Sequence, residues 1–281
     1  MQSKTNIDIR TVNGFGDEWV KFDQTNLTGD ELKRIFDSYF SIFPWSKLPE
    51  HAVGFDLGCG TGRWAKLVLP RVGMLHCIDP SKALEVAKRN LAAESKTNVQ
   101  FHLASVDAIP LADSSMDFGY SLGVLHHIPD TQAAIASCVN KLKPGAPFLV
   151  YLYYAFDNRP FWFRWLWNIS NLARKIISKL PFALRYIISQ MIAVFVYYPL
   201  AKISHFSEKI GFSVSNFPLS AYRKNSFYTM RTDALDRFGT HLEKRFTREQ
   251  IKNMMIAAGL EAIEFSEKTP FWCAVGFRKS N

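Results

Sequence analysis

The chain has 281 residues, 48% hydrophobic and 21% charged, a globular composition with room for one large domain or two small ones. Its formal charge of +9 raises nucleic acid or an anionic membrane as partners. Four scattered cysteines (Cys59, Cys77, Cys138 and Cys273) without CxxC spacing argue against a zinc site or a disulfide framework, so no metal is expected and a reducing cytoplasm fits.

The N-terminal stretch holds no apolar run of signal type, so no signal peptide is expected. Residues 1–50 contain "GFGDEWVKFD" and an amphipathic "GDELKRIFDSYFSIFPW", read as an N-terminal helical cap segment. Strands and helices then alternate. "AVGFDL" (52–57) predicts a strand that breaks into Gly58-Cys59-Gly60-Thr61-Gly62 and enters the helix "GRWAKLVLP". Trp64, on the first turn of that helix, is a core candidate. "GMLHCI" (73–78) predicts a second strand, closed by Asp79 and followed by a helix over 81–94. "VQFHLA" (99–104) and "MDFGYSLG" (116–123) are two further strands. The helix "TQAAIASCVNKLK" is stopped by Pro144-Gly145, and "PFLVYLYY" (147–154) is the fifth strand.

The segment 157–246 interrupts this pattern. It carries fourteen Lys/Arg against five acids, a net +9, while the rest of the chain balances at twenty of each. The excess charge therefore belongs to this insertion. "RPFWFRWLWNISNLARKIISK" and "PFALRYIISQMIAVFVYYPLAKISHFSEKIG" read as helices with more apolar residues than one buried face needs. Together with Arg164, Arg174, Lys175, Lys179 and Arg185 they suggest an apolar pocket or membrane-facing surface with a cationic edge. The longest uncharged run, Tyr186–Ala201, is sixteen residues, short of the roughly twenty a span wants, so no transmembrane helix is expected.

After residue 246 the alternation resumes. "TREQIKNMMIAAGL" predicts a helix with Thr247 as N-cap, Glu249 close behind and a stop at Gly259. "EAIEFSEK" (261–268) and "FWCAVGFRK" (271–279) predict an antiparallel pair joined at Thr269-Pro270. The predicted fold is α/β: a Rossmann-like doubly wound sheet, mostly parallel, with a C-terminal antiparallel hairpin and a helical insertion. The expected division is 1–50 as cap segment, 51–156 with 247–281 as sheet core, and 157–246 as insertion.

Glycines at 58, 60 and 62 let backbone approach a ligand closely. A dinucleotide turn reads GxGxxG, but here its third glycine position is Arg63. Asp56, two residues before the first glycine, would repel a pyrophosphate and attract a cation. These residues carry a resemblance. "FDLGCGTGRWA" resembles the first motif of class I S-adenosylmethionine-dependent methyltransferases, an acid-x-Gly-x-Gly-x-Gly. "CIDPS", "SVDAIPLADSSMDFGYSLGVLHHIPD" and "LKPGAPFLVY" resemble that family's later motifs. The resemblance covers roughly 50–155 and 247–280, and it is strongest to the small-molecule branch that includes ubiquinone and menaquinone methyltransferases.

The resemblance implies S-adenosylmethionine as cofactor. It places Asp56, Gly58, Cys59, Gly60, Gly62, Asp79, Pro80, Val106, Asp107 and Leu122 around that cofactor, with Asp56 toward the ammonium, Asp79 on the ribose hydroxyls and Asp107 on the adenine amine. It also implies that residues 157–246 form a substrate lid, a cap on the sheet, and that the N-terminal segment closes over the cofactor through Phe15, Trp19 and Phe22 or packs on the lid. Methyl transfer from a sulfonium is an in-line displacement in which alignment can supply ~7–11 kcal/mol. An acidic acceptor also needs a base, and His126 and His127, ending the fourth strand, are the candidates. Tyr154, Tyr222, Tyr228 and Arg231 are candidate substrate contacts.

Nucleic acid is not expected as substrate. Similar enzymes acting on exocyclic base amines carry Asn/Asp-Pro-Pro-aromatic where this chain reads Ser121-Leu122-Gly123-Val124, and no Pro-Cys or Thr-Cys of the cytosine C5 type occurs. The expectation is a methyltransferase acting on a small, lipophilic and anionic molecule at oxygen or carbon, cytoplasmic or at a membrane surface through peripheral contact. The alternative is a non-catalytic S-adenosylmethionine-binding protein that uses its insertion for a membrane or protein partner.

Overall fold

A computed structural model describes residues 5–92 and 97–280. The first four residues, and the 93–94 end of the helix predicted over 81–94, lie outside the described residues. In chain order the elements are α1 (Ile9–Lys21), α2 (Gly29–Tyr39), β1 (Val53–Leu57), α3 (Ala65–Val68), β2 (Met74–Asp79), α4 (Ala83–Ala92), β3 (Val99–Leu103), β4 (Phe118–Leu122), α5 (Thr131–Lys141) and β5 (Pro147–Tyr151). Four helices follow: α6 (Phe161–Ile177), α7 (Phe182–Ile192), α8 (Tyr198–Lys209) and α9 (Phe227–Gly239). The chain closes with α10 (Arg248–Ala257), β6 (Leu260–Phe265) and β7 (Cys273–Arg278). It divides into two compact units. One holds residues 1–24, 32–155 and 242–281; the other holds 25–31 and 156–241.

The first unit is built on one seven-stranded sheet, ordered β3-β2-β1-β4-β5-β7-β6. Strands β1 to β5 run parallel, and β7 is antiparallel to both of its neighbours. The alternation of strands and helices dictates the parallel part, because a parallel strand can be reached only through a crossover. The central strands β1, β4 and β5 are almost wholly buried, as expected of a sheet covered on both faces. "VGFDL" and "FGYSL" interlock across the β1–β4 pair: Gly54 pairs with Phe118 and Phe55 with Gly119. A Cβ on Gly54 would stand 2.2 Å from the Phe118 ring, and one on Gly119 would stand 2.3 Å from the Phe55 ring. Each glycine therefore makes room for its neighbour's phenyl ring, which locks the next pair, Asp56 with Tyr120.

Several ends differ from the sequence expectation. The helix after the glycine loop is one turn, Ala65–Val68, and tightens into a 3₁₀ turn over Leu69–Arg71, where Pro70 removes a backbone donor. Thr247 caps α10, but Gln250, not Glu249, closes the reciprocal box, because the third helical position reaches back to the cap. β6 stops at Phe265, and Ser266 Oγ then bonds the Lys268 carbonyl in a turn.

The second unit is helical. α7 runs through one π turn (Ala193–Tyr197) into α8, giving a continuous helix over Phe182–Lys209. Its own core joins Ile177, Ala193, Tyr197, Ala201, Met230, Ala234 and Phe238. Polar ties fix α9 at both ends. Glu31 accepts from the Ser226 N–H and the Thr229 hydroxyl at its start. At its end, Arg174 donates to the carbonyls of Thr240 and His241, and Arg185 to that of Gly239. These carbonyls have no intrahelical partner. Arg174 is consequently 5% exposed and, like Arg185, serves the helix end rather than a cationic edge. The helix Phe182–Lys209 is 28 residues, with a mean hydropathy of 1.4 in its most apolar window, so by length and composition it could cross a membrane. It outlasts the sixteen-residue uncharged run because it continues through Lys202 and Lys209.

Candidate cofactor and catalytic site

The glycine loop leaves β1 at the carboxyl end of the sheet. The N–H groups of Gly58 and Cys59 both reach the Ile78 carbonyl of β2, at 2.7 and 3.2 Å. Gly58 sits at φ +78°, and a Cβ there would meet Val124 at 2.4 Å. Gly60, at φ +54°, donates its N–H to Asp79 Oδ2 at 3.0 Å. Asp79 Oδ1 in turn accepts from Ser81 N–H at 2.9 Å and Ser81 Oγ at 2.7 Å. A carboxylate offers about four lone-pair directions. Three of Asp79's are occupied by Gly60 and Ser81, which leaves one acceptor direction open on Oδ2. Pro80 follows immediately and precedes α4. Burial raises the Asp79 carboxyl above its usual range, opposed by these same hydrogen bonds.

Asp56 lies one step before the loop, 1% exposed. Burial pushes its carboxyl up to about 8, with the Tyr120 hydroxyl and Arg63 acting against the rise and Asp79 adding to it. Its Oδ2 is buried without a hydrogen-bond partner, an acceptor oxygen left over in the site. Arg63 stacks on Trp64, its guanidinium carbon 4.4 Å from the ring centre, and faces Trp19 of α1 at 5.5 Å. Trp19 Nε1 stands 3.5 Å from where a Cβ on Gly60 would be. The N-terminal helix thus reaches the glycine loop, while Phe22, 3% exposed, belongs to the core. The Cys59 thiol is raised by hydrogen bonding with Cys77 and by burial, so it stays a neutral group.

Asp107 stands in the short turn Val106–Ala108 and is exposed. Its Oδ2 accepts from the Asn6 N–H, and Asn6 also exchanges two hydrogen bonds with Asp130 backbone. Val106, in the turn after β3, and Leu122, at the end of β4, are buried at 5% and 7%. The predicted cofactor residues from β1, β2 and β4 therefore gather at one end of the sheet.

His126 and His127 form a single turn beyond β4, both buried, with ring centres 4.0 Å apart. They differ in the hydrogen each carries. His127 Nδ1 is 2.6 Å from the Leu242 carbonyl. A carbonyl can only accept, so Nδ1 holds the proton and Nε2 is the basic nitrogen. His126 Nδ1 instead accepts a weak hydrogen bond from the Tyr153 N–H at 3.4 Å, which puts its proton on a buried Nε2 without a partner. Burial, followed by the neighbouring His127 and Arg245, holds His126 well below the usual imidazole range, so it is neutral. Phe15 of α1 closes on His127, ring edge to ring face at 4.9 Å.

The substrate candidates are divided between the units. Tyr154 bridges to Phe246 and packs on Phe271 and Trp272 in the sheet unit. Tyr222, Tyr228 and Arg231 are in the helical unit. The Tyr222 ring lies 5.2 Å from that of Tyr197, Tyr228 is half-buried in the first turn of α9, and Arg231 donates to Gln190 Oε1 and the Tyr186 hydroxyl. Tyr120, Ser81 and the Leu242 carbonyl were not among the candidates. Only three-dimensional register could have found them, although Ser81 follows the acid at a spacing typical of a helix start.

With this geometry in place, comparison with known proteins is decisive for the sheet. Residues 55–150 match the methyltransferase domain family. This segment is a class I S-adenosylmethionine-dependent methyltransferase domain. The chain is 31% identical over 100 residues to phosphoethanolamine N-methyltransferase 2 of Caenorhabditis elegans, covering 35% of this chain and 23% of that protein. It is 24% identical over 106 residues to the ubiquinone biosynthesis O-methyltransferase of Coxiella burnetii, covering 38% and 44%. The chain thus spans less than half the length of either relative. A solved O-methyltransferase family protein from Burkholderia thailandensis shares the fold, with a TM-score of 0.53 at 15% identity, covering 95% of this chain and 59% of that one. The family match stops before α6, so the helical insertion lies outside the recognised methyltransferase domain. The site residues fit S-adenosylmethionine: a glycine cradle, a buried carboxylate with an orphaned oxygen, and a second acid with one open acceptor.

Proposed function

We propose that this chain transfers a methyl group to a small, lipophilic and anionic molecule, at oxygen or carbon, in the cytoplasm or at a membrane surface and without a nucleic-acid substrate. When bound, S-adenosylmethionine supplies an activated methyl group on a sulfonium. The protein's work is then to orient, to exclude water and to take a proton. Asp56 attracts the ammonium, and Asp79 and Asp107 orient the nucleoside end.

The observation that carries the reading is the tautomer of His127. A buried imidazole held by a backbone carbonyl at Nδ1 presents a basic Nε2 at a fixed orientation, which is what an acidic O–H or C–H acceptor requires and a free amine does not. His126, neutral and carrying its proton on Nε2, suits a donor to an acceptor oxygen. The helical insertion enters after β5, at the carboxyl end of the sheet. Its apolar composition supports a lipophilic acceptor.

The experiment is methyl transfer from isotope-labelled S-adenosylmethionine to panels of lipophilic phenols, enolisable acids and amines, read as label in the organic extract. Transfer to phenols or enols supports the reading, and transfer to amines alone overturns the acceptor class. Cofactor binding with no transfer to any class would favour the second reading, a non-catalytic binding protein, which the exposed apolar surface of the helical unit supports.

A further inference from the structure

Among the described residues, twenty-three large apolar side chains are strongly exposed, and nineteen of them lie in the helical unit. They are not scattered. At 100° per residue, Phe161, Trp165, Ile169, Leu172 and Ile176 of α6 fall on one continuous arc, bordered by Trp162 and Leu166. The opposite side of α6 is the one packed inward, through Arg174 and Ile177. Leu184, Ile187, Met191, Phe195 and Tyr198 make a second exposed stripe along α7 and its π turn. Phe161 is 75% exposed, Trp165 60% and Phe195 71%, so most of each residue's surface faces water. A patch of this kind marks an interaction surface.

We infer that this face of the helical unit seats on an anionic lipid bilayer, lying in its interface without crossing it. Charge selects the occupant. Arg164 and Lys175 border one side of the α6 arc, Lys179 is exposed just beyond its end, and Lys202 and Lys209 are exposed on α8. Across α6 to α8, Phe161 to Lys209, Glu208 is the one acid, and it is paired with Arg223 and Lys224. An apolar face edged by cations, with exposed tryptophans on it, is the pattern of a helix buried to headgroup depth. Depth is set by the other face. The long helix is tied to α9 through Arg231, which holds Gln190 and Tyr186. A spanning orientation would carry the ionisable side chains of Arg231, Asp233, Asp236 and Arg237 of α9 toward hydrocarbon, where charged groups are expensive even when hydrogen-bonded. This inference is independent of the proposed reaction, and it gives a lipophilic acceptor a direct source in the bilayer.

The test uses the full chain with vesicles of phosphatidylcholine and of mixed phosphatidylcholine and phosphatidylglycerol. Co-sedimentation should be strong with the mixed vesicles, weak with the neutral ones, and reduced by salt. Brominated phosphatidylcholine in the mixed vesicles should quench tryptophan emission, a readout that needs no variant. Trp162→Ser with Trp165→Ser and Ile169→Ser should lower partitioning at least tenfold while S-adenosylmethionine binding persists, which shows that the sheet unit stays folded. Lys175→Gln with Lys179→Gln should reduce the preference for anionic vesicles. No partitioning, or partitioning unchanged by the triple variant, overturns the inference. So does resistance to alkaline carbonate extraction, which indicates a span. A stable dimer in vesicle-free solution that the triple variant dissociates overturns it in favour of a contact between copies.

Discussion

Asp56 and Tyr120 are register partners on the adjacent parallel strands β1 and β4, so the acid nearest the glycine loop is buried beside a phenol. The interlocked glycine and phenylalanine pairs one and two residues earlier fix that register. Burial then raises the Asp56 carboxyl to about 8. At neutral pH, without a cation beside it, Asp56 retains its proton. In the role proposed for Asp56, capture of an ammonium expels that proton.

Affinity for S-adenosylmethionine should therefore rise with pH up to about 8 and then level, by roughly tenfold per unit below that point where this group alone governs binding. Calorimetry at pH 7 in two buffers of different protonation enthalpy should record the release of about one proton. Asp56→Asn should abolish the release and most of the affinity.

The same group makes a prediction for the cofactor-free protein. Between 3.8 and about 8 the folded carboxyl holds a proton that the unfolded chain has released. Stability from this group therefore falls as pH rises through that window, and is lost above it. Asp56→Asn has no such slope. Melting curves should show the variant gaining on the parent as pH is raised from 5 to 8, and a constant gap would contradict the buried acid.

Asp79→Ala should weaken S-adenosylmethionine binding at least tenfold, about 1.4 kcal/mol, because it removes both the open Oδ2 acceptor and the anchor of the Gly60 N–H. Ser81→Ala should have a smaller effect in the same direction. Unchanged calorimetric affinity in Asp79→Ala would remove this acid from the site.

Gly58→Ala should destabilise the fold by about 1–3 kcal/mol, through a left-handed backbone and a Cβ driven against Val124. Urea denaturation checks it, and a loss below about 0.5 kcal/mol would mean that the loop relaxes freely.

Once an acceptor is in hand, His127→Ala should lower kcat by about 10²–10⁴ with cofactor affinity nearly intact. The rise of kcat with pH that reports the base should disappear with it. His126→Ala should keep that rise. A parental profile in His127→Ala would move the role of base elsewhere.

The order of strands, the glycine loop and the acids at its edge were legible because strand alternation and cofactor spacing are local in sequence. The antiparallel end was legible for the same reason, since a short connection between two strands admits only a hairpin. The roles of Arg174 and Arg185 were not. Both looked like a cationic edge because they recur among apolar residues, yet the carbonyls they satisfy belong to residues 239–241, more than fifty positions away. The choice between the two histidines was equally hidden: it rests on the Leu242 carbonyl, which the chain brings back only after the whole insertion. The length of the long helix was hidden too: its uncharged run stops at Ala201, yet the helix continues through Lys202 to Lys209, whose side chains project from it.

The insertion leaves and re-enters the sheet unit through one seam. The Phe246 N–H reaches the Tyr153 carbonyl, the Ala155 N–H reaches the Phe246 carbonyl, and Tyr154 bridges to Phe246. The two ends of the excursion are thus stitched together before it begins. Loop closure costs little more as a loop lengthens, so the seam tolerates a long excursion between Ala155 and Leu242, one that residues 25–31 join through Glu31. The seam is a graft point. A helical segment of another length or sequence could be spliced between the same two residues without breaking the hydrogen bonds of the seam. The Leu242 carbonyl that orients His127 would remain on the host side of the cut.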